Sequence, residues 1–342
     1  MSAIGLHTAR PALQRRTPWR RPGHTQRARG AALLAAMLTV ALVASFAATA
    51  LWQQWRSIEV ESAERGRVQA AWILTGALDW ARLILREDAR SGGADYLSEP
   101  WAVPLQESRL SSFLAADKNN SASDLPENQL DAFLSGQIVD MQGRLNVLNL
   151  VDGDKISKPD VLAFARLFNL LNLPQAELLD LSQNLLTASL ASNPASATAS
   201  AAISPTAMLL PQRIAQLQWL GLSAATVASL SPYVSLLPVR TPLNLNTAEA
   251  EAIYASIPDL NMAQARSLVD ARANSYFRSL DDAGKLLGES AVLIGQGRHS
   301  VATRFFEVRG RLRMERTVIE EHSLLQRDGL DMKTLWRSRA SL

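Results

Sequence analysis

Four histidines are the natural starting points for metal or acid–base chemistry, and none has the neighbours such chemistry needs. His7 and His24 lie ahead of a long apolar run, and His299 and His322 lack the His-Glu-x-x-His or paired-ligand spacing of a metal site. Cysteine is absent, which removes thiolate zinc sites, disulfide scaffolds and cysteine nucleophiles together. Gly295-Gln296-Gly297 is a lone fragment of a phosphate loop, and no Gly-x-Ser-x-Gly elbow occurs. Asp152 and Asp154 flank Gly153 as candidate calcium ligands. Calcium takes about six to eight oxygens, and nothing nearby completes the set. These two acids are therefore expected to turn or cap the chain. The remaining carboxylates are scattered, so no enzymatic activity is expected.

The chemistry that does stand out concerns a membrane. Residues 30–55 carry no charge and are bounded by Arg29 and Arg56. The 22 residues 31–52 would make a helix of about 33 Å, enough to cross the hydrocarbon core. Trp52 and Trp55 stand where an aromatic belt is expected. Residues 1–30 hold seven arginines and no acid. Without them, 28 basic residues face 32 acidic ones, so residues 31–342 carry about −4 although the chain's formal charge is +3. The basic character belongs to the leader, and the body does not have the charge of a nucleic-acid-wrapping protein. The leader's arginines should stay cytoplasmic and put the chain beyond the span on the far side of the membrane.

Three readings of this segment are open. It is a plain anchor; or a cleaved signal with Ala48-Thr49-Ala50 as the cleavage site; or a prepilin leader. In the last, Arg27-Ala28-Arg29-Gly30 precedes Ala31-Ala32-Leu33-Leu34-Ala35, the cut falls between Gly30 and Ala31, and the span is kept. The fifth mature residue would then be Ala35, and no acid occurs before Glu59. A carboxylate within a bilayer costs several kcal/mol unless paired. Proteins with a prepilin leader mostly carry Glu at that fifth position, paired with the N-terminal amine of the subunit already in the fibre, and a subunit similar to them but lacking this membrane Glu would need no neighbour above it.

The rest of the chain reads as a folded α+β body, its 47% apolar and 20% charged residues ruling out global disorder. Ala70, Ile73, Ala77, Trp80 and Ile84 form a helical stripe in a Pro-free stretch, with a stop at Ser91-Gly92-Gly93. Residues 138–141 and 145–148 suggest a hairpin around Gln142-Gly143-Arg144. Helices are predicted near 159–172, 174–187, 211–220, 223–230 and 247–256. The Ala/Ser-rich residues 187–206 read as a flexible insertion. Phe306, Val308, Leu312 and Met314 alternate with Glu307, Arg309, Arg311 and Arg313, which predicts a strand pair turning at Arg309-Gly310. A second turn at Asp328-Gly329 leads into residues 332–336.

With these elements in place, residues 30–342 resemble the K-type minor pseudopilins of the type II (general) secretion pathway, the GspK family. The likeness is carried by Arg-Gly followed by Ala-Ala-Leu-Leu without the membrane Glu, by Asp79-Trp80-Ala81, and by Leu97-Ser98-Glu99-Pro100-Trp101-Ala102. It continues through Asp140-Met141-Gln142-Gly143-Arg144-Leu145-Asn146, Thr241-Pro242-Leu243-Asn244-Leu245-Asn246-Thr247-Ala248 and Ser323-Leu324-Leu325-Gln326-Arg327-Asp328. The resemblance implies a type IV pilin-like fold with a long membrane-spanning helix, an antiparallel sheet and an inserted all-helical, SAM-like or helix-hairpin-helix-like domain. The expected organisation is a leader 1–30, span 31–52, periplasmic spine 53–92, first pilin-like part 93–150, helical insert 151–290 and C-terminal strands 291–342.

The resemblance further implies cleavage at Gly30–Ala31 and N-methylation of Ala31 by prepilin peptidase. It places the protein in the inner membrane with a single pass and a periplasmic C-terminal domain. Its expected seat is the pseudopilus tip, with the I and J minor pseudopilins and other pseudopilins as partners. Family members can bind calcium through an acid-rich stretch, but this chain has Leu178-Leu179-Asp180-Leu181-Ser182-Gln183 there. No cofactor is expected, and calcium is left open without a ligand set.

One rival is a membrane-anchored helix-hairpin-helix DNA-binding protein of the competence type. Asn244-Leu245-Asn246-Thr247-Ala248, Ala265-Arg266, Arg272 and residues 277–282 support that skeleton, with Asn246 or Thr247 capping the following helix. The hairpin itself, Ile257-Pro258-Asp259-Leu260-Asn261-Met262, has no Gly. Pro258 removes a donor and Asp259 would repel a phosphate.

Overall fold

The computed structural model describes residues 27–110, 132–192, 209–288, 294–295, 297–314 and 317–341. Residues 1–26 of the leader and 193–206 of the Ala/Ser segment lie outside these. The chain divides into two units, one ending at Val68 and one beginning at Gln69. Helix α1 (Arg27–Ser91) contributes to both.

In the first unit α1 exposes every residue from Gly30 to Arg65. It is the one described helix long and apolar enough to cross a membrane, with a mean hydropathy of 2.3 in its most apolar window. Its persistence follows from an Ala/Leu-rich sequence without proline. It ends as expected at Gly92 and Gly93, whose φ angles of 62° and 111° suit glycine, and the Gly92 N–H closes on the Asp88 carbonyl.

The second unit is built on a five-stranded antiparallel sheet. Chain order gives β1 (Leu105–Arg109) and β2 (Ala132–Asp140), and later β9 (Phe305–Met314), β10 (Thr317–Asp328) and β11 (Asp331–Ser341). Their order in space is β1-β2-β9-β10-β11. Strands β2 and β9 are neighbours, yet residues 141–304 intervene in the chain. Those residues form β3 (Leu145–Asn146), β4 (Val151–Asp152), β5 (Lys155–Ile156), α2 (Lys158–Leu170), α3 (Gln175–Ser192), α4 (Ala224–Leu230) and β6 (Val234–Ser235). They continue through β7 (Leu243–Asn244), α5 (Ala250–Ser256), α6 (Met262–Asn274), α7 (Leu280–Leu287) and β8 (His299–Ser300). This helical block has its own apolar core, centred on Phe164, Leu167, Phe168, Leu181, Leu217 and Ile253.

One face of the sheet packs on the second-unit part of α1. The helix contributes Ala70, Leu74, Leu78, Ala81 and Leu85, all buried. The apolar stripe is therefore centred one residue beyond the expected one. Ile73, Ala77 and Ile84 flank it, and Trp80 stays 43% exposed. Phe306 and Leu325 answer from the sheet, and Trp101 meets Phe306 edge to face at 5.2 Å. The opposite face places Phe305 and Leu324 against Met141 and Leu237 of the helical block.

Two expected turns are corrected. Arg309-Gly310 lies in mid-strand, where β9 runs unbroken against β2 and β10. The glycine answers a close approach instead: a Cβ on Gly310 would stand 3.1 Å from Leu74 Cδ2. The hairpin expected over 138–148 does not form either. After β2 the chain makes a 3-10 turn, Met141–Gly143, and β3 leaves to pair in parallel with β6. By contrast, the Asp328-Gly329 turn does close the β10–β11 hairpin, with Gly329 at φ 61°.

Among the helices, α2 and α4 fall where expected. Residues 214–220 form a 3-10 helix, and α3 runs on to Ser192, into the stretch read as flexible. Helix α6 stands where the helix-hairpin-helix skeleton puts its second helix, and α7 has no counterpart among the expected elements; Asn261 and Ser279 start them with reciprocal capping boxes.

Candidate functional site

Two places in the molecule carry the residues singled out by sequence. The first is the head of α1. Gly30, Ala31 and Ala35 all lie on the helix and are exposed, and Ala31 and Ala35 are one turn apart. The helix already begins at Arg27. No atom lies within 4 Å of the position a Cβ would take on Gly30, so packing does not require glycine there.

The second place is a polar junction in the second unit, where the short motifs converge. It begins at Asp140, the last residue of β2, which is buried. Its Oδ1 accepts the Gln142 N–H at 2.7 Å, and its Oδ2 accepts Asn244 Nδ2 at 2.9 Å and Thr247 Oγ1 at 2.6 Å. Burial pushes the Asp140 carboxyl above its usual range, and these donors oppose that. Gln142 donates to the Pro242 carbonyl and accepts the Arg304 N–H. Asn146 accepts the Leu148 and Leu237 N–H groups and donates to the Val239 carbonyl and Thr241 Oγ1. Each side-chain amide thus satisfies backbone groups that no regular ladder reaches.

Beside it, Arg327 of β10 joins the end of α1 to the loop after it. Its Nη1 donates to Asp88 at 2.8 Å, and its Nη2 reaches Asp95 and the Thr303 carbonyl at 2.6 Å. Asp95 also accepts the Thr303 N–H, and its backbone carbonyl accepts Asn244 Nδ2, which links the two networks. Glu99 accepts the Tyr96 N–H at 2.9 Å and Trp101 Nε1 at 2.7 Å. Burial first, and then repulsion from Asp88 and Asp95, raises Glu99 to about 7, against the pull of those two donors. Asp88 is raised in the same direction, mainly by burial.

Asp88, Asp95 and Glu99 bring their oxygens within 4.8 Å of one another. The guanidinium of Arg327 already stands in the position a cation would neutralise, so the arrangement reads as an internal ion cluster. Glu99 and Arg327 belong to motifs legible in the sequence; Asp88 and Asp95 carry no local signal.

The other candidates resolve into structural roles. Asp152 and Asp154 shape the tight β4–β5 turn around Gly153 (φ 62°), and Asp152 lies 4.0 Å from Arg240. His299 is buried against Ser256 and accepts the Gly295 N–H. Burial, with Arg298 nearby, lowers it to about 4, so its ring is neutral near pH 7. His322 lies 3.1 Å from Glu307.

The helix-hairpin-helix skeleton does form, from α5, a turn and α6. Asp259 occupies its left-handed position at φ 59°, and Arg166 from α2 donates to the Ile257 and Leu260 carbonyls. Arg272 is turned inward onto the Leu245 carbonyl, and burial lowers it to about 10. Neither Asn246 nor Thr247 caps α5, whose N-cap is Glu249. Asn246 instead holds both backbone groups of Phe277.

These features are shared with known proteins. Two family models, each described as "Type II secretion system (T2SS), protein K", match residues 143–239 and 243–302. The type II secretion system protein K of Pseudomonas aeruginosa is 30% identical over 339 residues, covering 91% of this chain and 89% of the relative. A chain in the crystal structure of the GspK-GspI-GspJ complex from the type 2 secretion system of enterotoxigenic Escherichia coli aligns with a TM-score of 0.58. That match is 16% identical and covers 81% of this chain and 98% of the other, which establishes a common fold. The competence-type DNA-binding reading finds no support in these relatives. A polar junction built from the motifs, a charge-free stretch of α1 from Gly30 to Trp55 and a relative matched over nearly its whole length agree: the chain belongs to the protein K family of the type II secretion system, its K-type minor pseudopilins.

Proposed function

We propose that this subunit sits at the tip of the type II secretion pseudopilus and starts or caps its assembly during export of folded proteins across the outer membrane. The observation that carries the reading is the helix head: an apolar helix that follows directly on Arg29-Gly30 and has alanine, not glutamate, at position 35. Cleavage between Gly30 and Ala31 by a prepilin peptidase would free an amine on Ala31, which is then methylated. That amine can pair with the membrane carboxylate of the next subunit below. Ala35 presents no carboxylate of its own and so requires no amine from above.

On this reading the chain passes once through the inner membrane and its second unit lies in the periplasm, since the leader's arginines favour the cytoplasm. The inserted helical block, of SAM-like or helix-hairpin-helix-like character, would add bulk at the tip and block growth above it. The minor pseudopilins I and J are the proposed immediate partners. Support comes from the Escherichia coli complex, in which GspK is joined with GspI and GspJ.

N-terminal sequencing with intact-mass measurement of the membrane-extracted protein tests the reading. A mature chain beginning at a methylated Ala31 upholds it. A chain beginning after Ala50, or one retaining the leader, sinks it. A bulky residue at Gly30 is expected to abolish processing.

A further inference from the structure

A cavity of about 280 Å³ lies between the helical block and the sheet. Arg144, Arg213 and Arg309 line it, together with His322 and Glu307. Glu307 is the one carboxylate among these groups, and it is already engaged. Its Oε2 accepts Arg309 Nε at 2.7 Å and Nη2 at 2.5 Å, and its Oε1 meets His322 Nδ1 at 3.1 Å.

Among the described residues, the guanidiniums of Arg144 and Arg213 form no ion pair. Among the described residues Arg144 makes one hydrogen bond, from Nη1 to the Ser231 carbonyl at 3.2 Å, and no ion pair. Arg213 donates to Ser338 Oγ at 2.8 Å and stacks over the Trp336 ring at 5.3 Å, again without an acid. An arginine half out of water with no anion is electrostatically unfinished. Burial first, and then the neighbouring Arg309, press on the Arg144 charge and outweigh the support of Glu307, Glu249 and Asp140. Met141, Leu236 and Leu324 give the lining an apolar part beside the Trp336 ring, and Gln212, Ser231 and Ser338 add neutral polar groups.

We propose that this cavity is a binding site for a carboxylate carried on an apolar stem, either a small organic acid or an acidic side chain of a polypeptide docking on this face. The planar guanidinium of Arg144 would take the carboxylate with its free donors, Arg213 would close over it from the rim, and the Trp336 wall would hold the stem. This assignment does not depend on the subunit's place in the filament.

The test uses the full chain in detergent and reads thermal unfolding, since a ligand bound by the folded state raises the midpoint. The probes are 3-phenylpropionate, its neutral alcohol 3-phenylpropanol, the peptide acetyl-Leu-Glu-Leu-amide, its Gln counterpart, and inorganic phosphate. The acid or the Glu peptide should raise the midpoint where the alcohol and the Gln peptide do not. The tighter of the two identifies the source of the carboxylate. Arg144→Gln should weaken that binding about tenfold or more, the loss of a charge-assisted hydrogen bond. Arg213→Gln, a change at an exposed position, should weaken it in the same direction and decides the matter if Arg144→Gln does not fold. No shift with either carboxylate overturns the proposal. So does a shift that phosphate reproduces and that both variants retain.

Discussion

Gly143 and Thr247 stand so close that a Cβ on the glycine would lie 2.8 Å from Thr247 Oγ1 and 3.2 Å from the threonine's carbonyl carbon and oxygen. The backbone cannot retreat without cost, because Thr247 Oγ1 also donates to the buried carboxylate of Asp140. Gly143→Ala is therefore expected to destabilise the protein by about 1–3 kcal/mol, read as a lower unfolding midpoint. Gly76→Ala is the contrasting case. Gly76 lies within α1 with open space around it, so alanine there should be neutral or add up to about 1 kcal/mol through helix propensity. Equal midpoints for Gly143→Ala and the parent would contradict this account of the junction.

The same pair shows what the sequence does and does not disclose. Glycine is readily taken as a turn signal, and at Gly92, Gly153 and Gly329 a positive φ bears that out. At Gly143 and Gly310 the residue serves a contact with a distant segment, Thr247 in one case and Leu74 in the other. No local pattern distinguishes the two uses, and the turns expected at Gly143 and Gly310 fail for that reason, whereas the one at Gly329 forms. Periodicity locates the spine helix and the sheet-facing residues of β9. It misplaces the centre of the α1 stripe by one residue because Trp80, a large apolar side chain, sits at the margin of the buried face. The motifs behind the family resemblance are legible as strings. Their joint role is not, since Asp140 and Asn244 meet only once the whole helical block has folded back onto the sheet.

Arg327 holds two carboxylates at once, and its side chain is 13% exposed against 11% for Asp88 and 3% for Asp95. Removing the cation leaves both acids in a poorly solvated site. Arg327→Met is expected to cost about 3–5 kcal/mol. The double variant Arg327→Met/Asp88→Asn should recover part of that loss, because one of the two stranded charges is gone. Chemical denaturation of the three proteins measures the difference. A double variant no more stable than the single one would show that the cluster is not the source of the cost.

Glu99 makes stability depend on pH near neutrality. Its folded-state value of about 7 lies above its ordinary 4.5, so the folded state favours the protonated form. The contribution is full below about 4.5 and is lost as pH rises through about 7. Asp88, also raised, acts in the same direction. His299 opposes them: lowered from 6.5 to about 4, it favours the fold above 6.5 and loses that contribution as pH falls toward 4. The whole-protein profile mixes these slopes, and Glu99→Gln separates them. Gln resembles the protonated acid, so the variant should gain in midpoint relative to the parent between pH 5 and pH 8. A midpoint difference that is constant over that range would remove Glu99 as the titrating group.

The absence of a carboxylate at position 35 is testable by restoring one. An unpaired carboxyl group costs about 2.5–3.5 kcal/mol at mid-bilayer, and that is an upper bound at position 35, one turn inside the apolar stretch of α1. A neighbouring subunit's N-terminal amine would offset that. On the proposed reading, Ala35→Glu leaves cleavage at Gly30 intact, because the change lies past the cut, yet gives the subunit a demand for a partner above it. Its crosslinks should then spread from the filament end to interior positions, and secretion should fall. Ala35→Gln, polar but uncharged, should do neither to the same degree. If Ala35→Glu crosslinks and secretes like the parent, the missing acid is not what sets this subunit's position, and the explanation would have to come from the helical block alone.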